Sequence, residues 1–271
     1  MKPVALTIAG SDPSGGAGLQ ADLKTFHQFG VYGEAVVTLL TVQNTCSVSR
    51  VECVSPELVI DQLLAVVTDI PPGAAKTGAL GNRGIVEAVA EAATRFAFPL
   101  VVDPVLISKH GAPLMSADAL QVVRERLLPR AFLLTPNLAE AALLAGIEIR
   151  DMDAMKTAAL RLRDLGARAV VVKGGHWRDH ATDLLLDEDG WHEFPAPHID
   201  TRHTHGTGCT YSAAITACLA RGESLVAAVS AAKRFIAAAI ASNPGLGSGA
   251  GPVNHHANHH ANHHTAREEP A

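Results

Sequence analysis

The chain has 271 residues, a length that suits one large α/β domain, and 48% of its residues are hydrophobic while only 4% are aromatic. Its formal net charge is -5, with both signs mixed along the chain, which argues against a nucleic-acid-binding protein. No apolar run approaches the roughly 20 residues of a membrane span, and the N-terminal segment reaches turn residues too early for a signal peptide. We therefore predict a cytoplasmic protein with no nucleic-acid or membrane partner, whose four scattered cysteines are reduced thiols.

Short β-branched runs alternate with segments of helical period along the chain, a pattern typical of a parallel sheet covered by helices. The predicted strands are VALTIAG from Val4, EAVVTLLTVQ from Glu34, AAKTG from Ala74, PLVVDPV from Pro99, AFLLTPN from Ala131 and RAVVVKGG from Arg168. Apolar spacing predicts a first helix over 19–30 and a last helix over 225–240. Two short runs around Asp189 and Gly190 predict a hairpin that ends the sheet with an antiparallel edge.

The C-terminal segment differs in composition from the rest of the chain. No break in composition precedes about residue 243, so residues 1–253 are predicted to form a single domain. Residues 254–271 contain the repeat NHHANHHANHH and are predicted to form a disordered polar tail. In a helix its six histidines could hold a transition metal, but the tail interpretation is favoured and no catalytic role is assigned to it.

A glycine-rich loop, AGSDPSGGAG, follows the first predicted strand. Its spacing excludes a phosphate-binding P-loop. It matches the dinucleotide fingerprint G-x-G-x-x-A, but the second strand ends in TVQNT, without the carboxylate that would bind a ribose. We interpret the loop as a cover over a small substrate, with Asp12 and Asp22 either at its rim or in capping and solvated positions.

Polar side chains follow three later strands, at the sheet edge where open α/β sheets bind ligands. Asp103 follows VV, Asn137 and Glu140 lie in TPNLAE, and Lys173 precedes two glycines. Carboxylates and an amide can hold Mg²⁺ and a lysine can neutralise phosphate, so their joint placement predicts phosphoryl transfer. Taken singly, Asn137 and Glu140 could merely start a helix, and Lys173 could be a solvated strand end.

The segment HGTGCT precedes a run of small and apolar residues that predicts a helix. The backbone N–H groups of Gly206 to Cys209 would then lie at a helix N-terminus, which attracts an anion and favours the thiolate of Cys209. A nucleophile-elbow hydrolase would need a glycine two residues after the nucleophile, where this chain has Tyr211. A small residue that fills a tight helix start is the remaining alternative for Cys209.

Several ordered segments together resemble the hydroxymethylpyrimidine/phosphomethylpyrimidine kinases of thiamine biosynthesis, members of the ribokinase-like superfamily. They are GSDPSGGAGLQADLKTF, VQNT, KTGAL, VVDPVLISKHG, TPNLAEA, KGGH, THGTGCTYSAA and GPVNH. The resemblance as a whole extends from about Val4 to His255. The resemblance implies a three-layer α/β/α sandwich, commonly a homodimer. It also implies a kinase that uses ATP and Mg²⁺ to phosphorylate 4-amino-5-hydroxymethyl-2-methylpyrimidine and then its monophosphate, giving the diphosphate.

The resemblance implies a role for each matching residue. The aminopyrimidine edge would be bound by the amide of Gln43, which offers both a donor and an acceptor. The rest of the substrate site would be Gly10, Ala17, Asp22 and Val105. The metal would be held by Asp103 and Glu140, and ATP by Lys173 and Asn137. The anion hole would be Gly206, Thr207 and Gly208, and Cys209 would occupy the place where many relatives carry an aspartate base.

Four positions depart from the usual pattern of the family and put the shape of the pocket in doubt: Ala79, His110, Ala112 and His203. A pyridoxal kinase is the nearest rival, because one branch of those enzymes shares the first loop and the G-x-G-C loop. That branch usually lacks QNT, so Gln43 discriminates between the two. A non-catalytic pyrimidine-binding protein is a rival from another class, but it would not need Asp103, Glu140, Lys173 and Cys209.

Overall fold

The computed structural model describes residues 2–108, 111, 113–175 and 181–258. The strands are β1 Val4–Ser11, β2 Tyr32–Gln43, β3 Val48–Cys53, β4 Ala74–Thr77, β5 Leu100–Val102, β6 Leu133–Leu134, β7 Ala169–Val172, β8 Asp183–Leu186 and β9 Trp191–Phe194. The α-helices are α1 Gly18–Gln28, α2 Pro56–Asp69, α3 Arg83–Ala93, α4 Ala119–Val122, α5 Leu138–Ala145, α6 Met152–Asp164, α7 Thr207–Ala220 and α8 Leu225–Ala241. A π-helical turn, Val123–Leu127, and a 3₁₀ turn, Leu128–Arg130, continue α4.

The strands form one sheet in the order β3-β2-β1-β4-β5-β6-β7-β8-β9. The six central strands run parallel, namely β2, β1, β4, β5, β6 and β7. Each edge is antiparallel, with β3 on β2 at one end and β8 and β9 at the other. The strand order reverses between β1 and β4, and open α/β sheets bind ligands beside such a reversal, outside the carboxyl ends of the strands.

The two antiparallel edges differ in how well the sequence predicts them. The β8–β9 hairpin is confirmed, and its turn is closed by the N–H of Asp187 donating to the carbonyl oxygen of Gly190 at 3.0 Å. β3 was not predicted, because its sequence VSRVEC lies on the exposed edge and carries charged side chains such as Arg50 and Glu52. An edge strand of this kind lacks the apolar run that identifies a buried strand.

Two apolar clusters cover the two faces of the sheet. One joins Leu6 and Ile8 of β1 to helices α2 to α6, and the other joins Ala5 to α1, α7 and α8. Alternate residues of β1 thus enter opposite cores, as the two-residue period of a strand requires. This arrangement confirms the predicted three-layer α/β/α sandwich.

Helix α7 is buried along almost its whole length, from Thr210 to Leu219. A helix that is apolar on all sides must lie inside the fold, and α7 packs between α1 and α8. Its N-terminus is therefore held rigidly against the carboxyl ends of the central strands.

Packed structure continues beyond residue 253. The N–H of Asn254 donates to the carbonyl oxygen of Ala239 at 3.0 Å, and the side chains of His255 and Ala257 are buried. The histidine repeat from residue 259 onward lies outside the described residues. Among the described helices, none is long and apolar enough to cross a membrane.

Candidate active site

The turn that starts α7 requires glycine at Gly206. This residue is the N-cap of α7, with a φ of 79°, and a Cβ on it would overlap the carbonyl oxygen of Gly16. No side chain caps this helix, in contrast to α2, α3, α5 and α8. The N–H of Thr207 donates to the carbonyl oxygen of Thr204 at 3.3 Å, and the N–H groups of Gly208 and Cys209 precede the first acceptor that the helix itself offers. Such a helix start favours an anion.

Asp103 and Lys173 meet directly beside this turn. The Lys173 ammonium donates to Asp103 Oδ1 at 3.1 Å, and the Ser212 hydroxyl of α7 donates to Asp103 Oδ2 at 3.0 Å. Burial disfavours the ionised form of Asp103, but the Lys173 ammonium holds the pKa of that carboxyl below its ordinary value. A Cβ on Gly208 would lie 3.4 Å from Lys173 Nζ. The start of α7 and the residues that follow β5 and β7, Asp103 and Lys173, therefore lie next to one another.

Asn137 and Glu140 form a capping box at the start of α5. The N–H of Glu140 donates to Asn137 Oδ1, and the N–H of Asn137 donates to Glu140 Oε2, both at 2.9 Å. Burial raises the pKa of Glu140 to about 7, with Lys173 acting in the opposite direction and Asp103 adding to the rise. The helix-start role that the sequence left open is thus confirmed, and Glu140 also lies within the electrostatic reach of Asp103 and Lys173.

Asp22 is fully buried and is bound by two neighbours, so the prediction that it lies at the loop rim or in a capping or solvated position was wrong. The hydroxyl of Thr7 donates to its Oδ2 at 2.6 Å, and the ammonium of Lys76 donates to its Oδ1 at 2.8 Å. The Lys76 side chain has no exposed surface either. Burial opposes its ammonium form, but the charges of Asp22, Cys209 and Asp103 hold the pKa of Lys76 above its ordinary value.

Lys76 was missed in the sequence. It lies inside the short strand AAKTG, where it was interpreted only as part of β4. The signal was present, because lysine is almost never fully buried unless it is paired. A lysine within a buried central strand therefore indicates a buried acidic partner.

The expectation that Cys209 is a ready thiolate was wrong. Burial raises the pKa of its thiol to about 12, although the Lys76 ammonium and the backbone N–H of Gly18 act in the opposite direction. In the free protein Cys209 is a neutral thiol at pH 7.

The first loop brings part of the predicted substrate group beside Cys209. Ser11 and Gly18 pair across this loop, and a Cβ on Gly18 would overlap the carbonyl oxygen of Gly10. Ala17 is the N-cap of α1 and directly precedes Gly18. The loop thus lies against α7 through Gly18 and Cys209.

Gln43 lies at the end of β2. Its amide donates to the Thr41 hydroxyl at 2.7 Å, and that hydroxyl donates to the carbonyl oxygen of Ser11 at 2.9 Å. Val105 is half-buried just after β5, where its N–H donates to the carbonyl oxygen of Asp103. Gln43 is therefore connected to the first loop by hydrogen bonds through Thr41, while Val105 is hydrogen-bonded to Asp103.

Asp12 organises the first loop, and among the predicted site residues it hydrogen-bonds to Ala17. Its carboxylate accepts from the N–H groups of Ser14, Gly16 and Ala17. It also contacts His205 Nε2 at 2.8 Å. His205, which precedes the glycines of the α7 turn, was not identified in the sequence, although a histidine beside such a turn could have been noted.

The positions that depart from the family pattern have the following contacts. His203 Nδ1 accepts from the N–H of Gly251 at 3.2 Å, and the carbonyl oxygen of Ala79 accepts from the hydroxyl of Thr38 at 2.6 Å. His110 and Ala112 lie outside the described residues.

Comparisons with known proteins agree with this geometry. The family model of phosphomethylpyrimidine kinase matches residues 12–254. The hydroxymethylpyrimidine/phosphomethylpyrimidine kinase of Bacillus subtilis is 43% identical over 266 residues, which cover 97% of this chain and 98% of that protein.

Two solved structures are also similar to this chain. The ADP complex of Bacillus subtilis pyridoxal kinase has a TM-score of 0.87 at 39% identity, covering 95% of this chain and 98% of the other. The phosphomethylpyrimidine kinase of Clostridium difficile has a TM-score of 0.77 at 40% identity, covering 87% and 98% respectively. These likenesses confirm the ribokinase-like fold and the prediction of an enzyme. The chain belongs to the phosphomethylpyrimidine kinase family.

Proposed function

We propose that this kinase transfers the γ-phosphoryl group of ATP to the hydroxymethyl group of 4-amino-5-hydroxymethyl-2-methylpyrimidine, and then phosphorylates the monophosphate. The observation that carries the proposal is the convergence of Lys173 and Asp103 on the uncapped start of α7. A cation and preorganised N–H donors in one place suit a phosphoryl group, whose charge is spread over its oxygens during transfer.

We assign the transferring phosphoryl group to the backbone of Gly206, Thr207, Gly208 and Cys209. Lys173 would bind the ATP phosphates, because its ammonium lies 3.1 Å from Asp103 and borders the space next to Gly208. Asn137 would contribute to ATP binding beside Lys173, because an isolated parallel β-bridge joins the two residues just beyond the ends of β6 and β7.

Asp103 and Glu140 fit a magnesium ion that ATP helps to hold. Mg²⁺ usually takes one or two protein carboxylates and fills its other positions with phosphates and water. The Asp103 charge contributes to the raised pKa of Glu140, so the two carboxylates lie within electrostatic reach of each other, as two ligands of one cation must. Within the described part of the chain no group of three or more acidic, histidine or cysteine side chains could hold a metal alone. Bound Mg²⁺ would offset the charge of the ATP phosphates.

We place the pyrimidine against the first loop and the end of β2. Gln43 would hydrogen-bond its amino group and ring nitrogen, within a site formed by Gly10, Ala17, Asp22 and Val105. Cys209 would contribute mainly its backbone N–H. A loose transition state puts little charge on the attacking oxygen, so a strong base is not required. The Cys209→Ala variant separates these roles: loss of turnover by about 10²-fold or more would mean that the thiol takes the substrate proton.

Mass spectrometry of the products from a substrate panel with ATP tests the proposed function. The pyrimidine alcohol should gain one and then two phosphate groups, with a higher kcat/KM than pyridoxal. A higher kcat/KM for pyridoxal would reassign the chain to pyridoxal phosphorylation. Absence of any phosphorylated product would favour a pyrimidine-binding protein without activity.

Gln43→Leu provides the matching variant. Its KM for the pyrimidine should rise about 10-fold or more, because a binding hydrogen bond is lost and a polar group of the substrate is left unpaired. Gln121→Leu is the control, since Gln121 is exposed on α4 and its side chain hydrogen-bonds to Glu125 alone among the described residues. An unchanged KM in Gln43→Leu would remove Gln43 from the substrate site.

We also propose that the kinase works as a cytoplasmic homodimer. Exposed apolar side chains on β2 and α2, namely Leu40, Val42, Leu58 and Leu64, support an interface on that face. All four cysteines are free thiols, which suits a reducing compartment. Sedimentation velocity should give twice the chain mass, and a monomer at micromolar concentration would contradict the dimer.

A further inference from the structure

A buried contact joins two loops that are far apart in the chain. Nε2 of His205 lies 2.8 Å from Oδ2 of Asp12, and their side chains are only 5% and 1% exposed. His205 immediately precedes Gly206 at the start of α7, and Asp12 lies in the loop before α1. A charge-assisted bond of this kind is among the stronger polar contacts in a protein interior.

The Asp12 carboxylate fixes the shape of the loop that covers the substrate side. Oδ1 accepts from the N–H and hydroxyl of Ser14, and Oδ2 accepts from the N–H groups of Gly16 and Ala17. These bonds turn the backbone toward α1, whose first residue Gly18 lies beside Cys209. The loop geometry therefore depends on one carboxylate.

His205 is held from its own side by the backbone of the C-terminal segment. Its N–H donates to the carbonyl oxygen of Gly251 at 3.0 Å, and its carbonyl oxygen accepts from the N–H of Val253 at 3.2 Å. Its ring packs so closely on the first loop that a Cβ on Gly16 would lie 2.5 Å from the ring. The imidazole is thus packed between the first loop and the α7 turn.

We propose that the His205–Asp12 pair is a positioning pair, which holds the substrate loop over 12–17 at a fixed distance from the phosphoryl-binding turn over 206–209. The inference rests on the proposed function of that turn. In-line transfer needs the acceptor hydroxyl and the phosphoryl group aligned, and a misplacement of about 1 Å can cost roughly 10²-fold in rate. Neither residue touches a reacting atom in this proposal; each acts through the backbone it fixes.

Two substitutions of His205 test the proposal. In His205→Leu the donor is lost while the volume is nearly kept, so kcat should fall about 10- to 100-fold with less than about a 3-fold change in KM for ATP. In His205→Gln the amide can still donate to Asp12, so kcat should return to within about 5-fold of the wild type. An equal loss in both variants, or none in His205→Leu, would overturn the proposal.

His192 offers a matched control. Its Nε2 lies 3.1 Å from Oδ1 of Asp187 in the β8–β9 hairpin, away from the two loops. His192→Leu removes the same kind of contact and should leave kcat unchanged. A loss of kcat there equal to that of His205→Leu would indicate a general structural effect and contradict the proposal.

Hydrogen exchange gives a readout that does not depend on activity. The amides of Ser14, Gly16 and Ala17 should exchange at least about 10-fold faster in His205→Leu than in the wild type. If His205→Leu does not fold, His205→Ala provides the same comparison, since it removes the imidazole and leaves both acceptor oxygens of Asp12 in place. Unchanged exchange in the folded variant would overturn the proposal.

The failure of this inference can be told from the failure of the proposed function. Wild-type protein without kinase activity would refute the function. If the wild type is active and His205→Leu has the same kcat as the wild type, only the proposal of a positioning pair is refuted.

Discussion

Cys209 lies at the start of α7, where the helix dipole favours an anion, yet burial raises the pKa of its thiol to about 12. A helix terminus contributes roughly 0.3–2 kcal/mol, whereas complete burial, which Cys209 approaches but does not reach, can move a pKa by up to about 3–5 units, about 4–7 kcal/mol. Desolvation therefore outweighs the dipole at this position. The sequence shows the helix start but not the depth at which the sulfur is buried.

We predict that iodoacetamide labels Cys209 slowly at neutral pH. With a pKa of about 12, only about one in 10⁵ of its thiols is ionised at pH 7, and the thiolate is the reactive form. Exposed Cys46 should react at least about 100-fold faster, and buried Cys218 should also react slowly. Peptide mass spectrometry measures the three rates, and fast labelling of Cys209 would contradict its assignment as a neutral thiol.

The second prediction for a single residue concerns the contribution of Lys76 to stability. Lys76→Met should destabilise the protein by about 3–5 kcal/mol, because Asp22 would remain as a buried charge without its cation. Adding Asp22→Asn to Lys76→Met should restore part of this loss, since no buried charge then remains. Denaturant unfolding measures both, and equal stability of Lys76→Met and the wild type would show that the ion pair does not hold the fold.

Strands and helices could be predicted from the sequence where apolar residues dominate, but not where a segment depends on its neighbours in the fold. The central strands and the β8–β9 hairpin follow from β-branched runs and an Asp-Gly turn. β3 escaped prediction because its neighbours in the fold, not its composition, make it a strand. The capping box of Asn137 and Glu140 was among the alternatives in the sequence, but only the fold shows that Glu140 also lies near Asp103 and Lys173.

The start of α7 gives a prediction at the scale of an element, because its two glycines differ in what they require. Gly206→Ala should destabilise the protein strongly, since φ is 79° and the methyl group would overlap the Gly16 carbonyl. Gly208 lies in the helix, and a Cβ there would be 3.4 Å from Lys173 Nζ, a contact of nearly ordinary length. Gly208→Ala should therefore fold with stability within about 1 kcal/mol of the wild type.

The kinetic effect of Gly208→Ala should be large despite its mild effect on folding. The new methyl group would project into the space between α7 and Lys173, so kcat/KM for ATP should fall about 10-fold or more. Thermal unfolding and steady-state kinetics on the same preparations separate the two effects. Full activity in Gly208→Ala would mean that the phosphoryl group does not occupy this space.

At the scale of the whole molecule, the two ends of the sheet carry different polar groups. The carboxyl ends gather the paired charges of the site, whereas Glu34 lies near the start of β2, at the opposite end. Glu34 is buried, and its Oε2 has no hydrogen-bond partner among the described residues. The burial of Glu34 could not be predicted from the sequence, because the pattern of a strand does not reveal which of its polar residues lose contact with water.

Glu34 makes the stability of the protein depend on pH. Burial raises its pKa to about 7, with the nearby Asp69 carboxylate adding to the rise, from 4.5 for an ordinary glutamate. Between these two values the folded protein binds more protons than the unfolded chain, so the free energy of unfolding falls as pH rises. Glu140, whose pKa burial also raises to about 7, contributes a fall of the same sign.

Glu34→Gln should therefore flatten part of this pH dependence. The amide stays neutral, so the variant should be more stable than the wild type at about pH 8 and should lose that advantage at about pH 5, where Glu34 is protonated. Denaturant unfolding at several pH values measures the slope, and Glu52→Gln, at an exposed position on β3, should leave it unchanged. Equal slopes for Glu34→Gln and the wild type would mean that Glu34 ionises as freely in the folded protein as in the unfolded chain. Kinase activity should be the same in both, because Glu34 is at the end of the sheet away from Asp103 and Lys173.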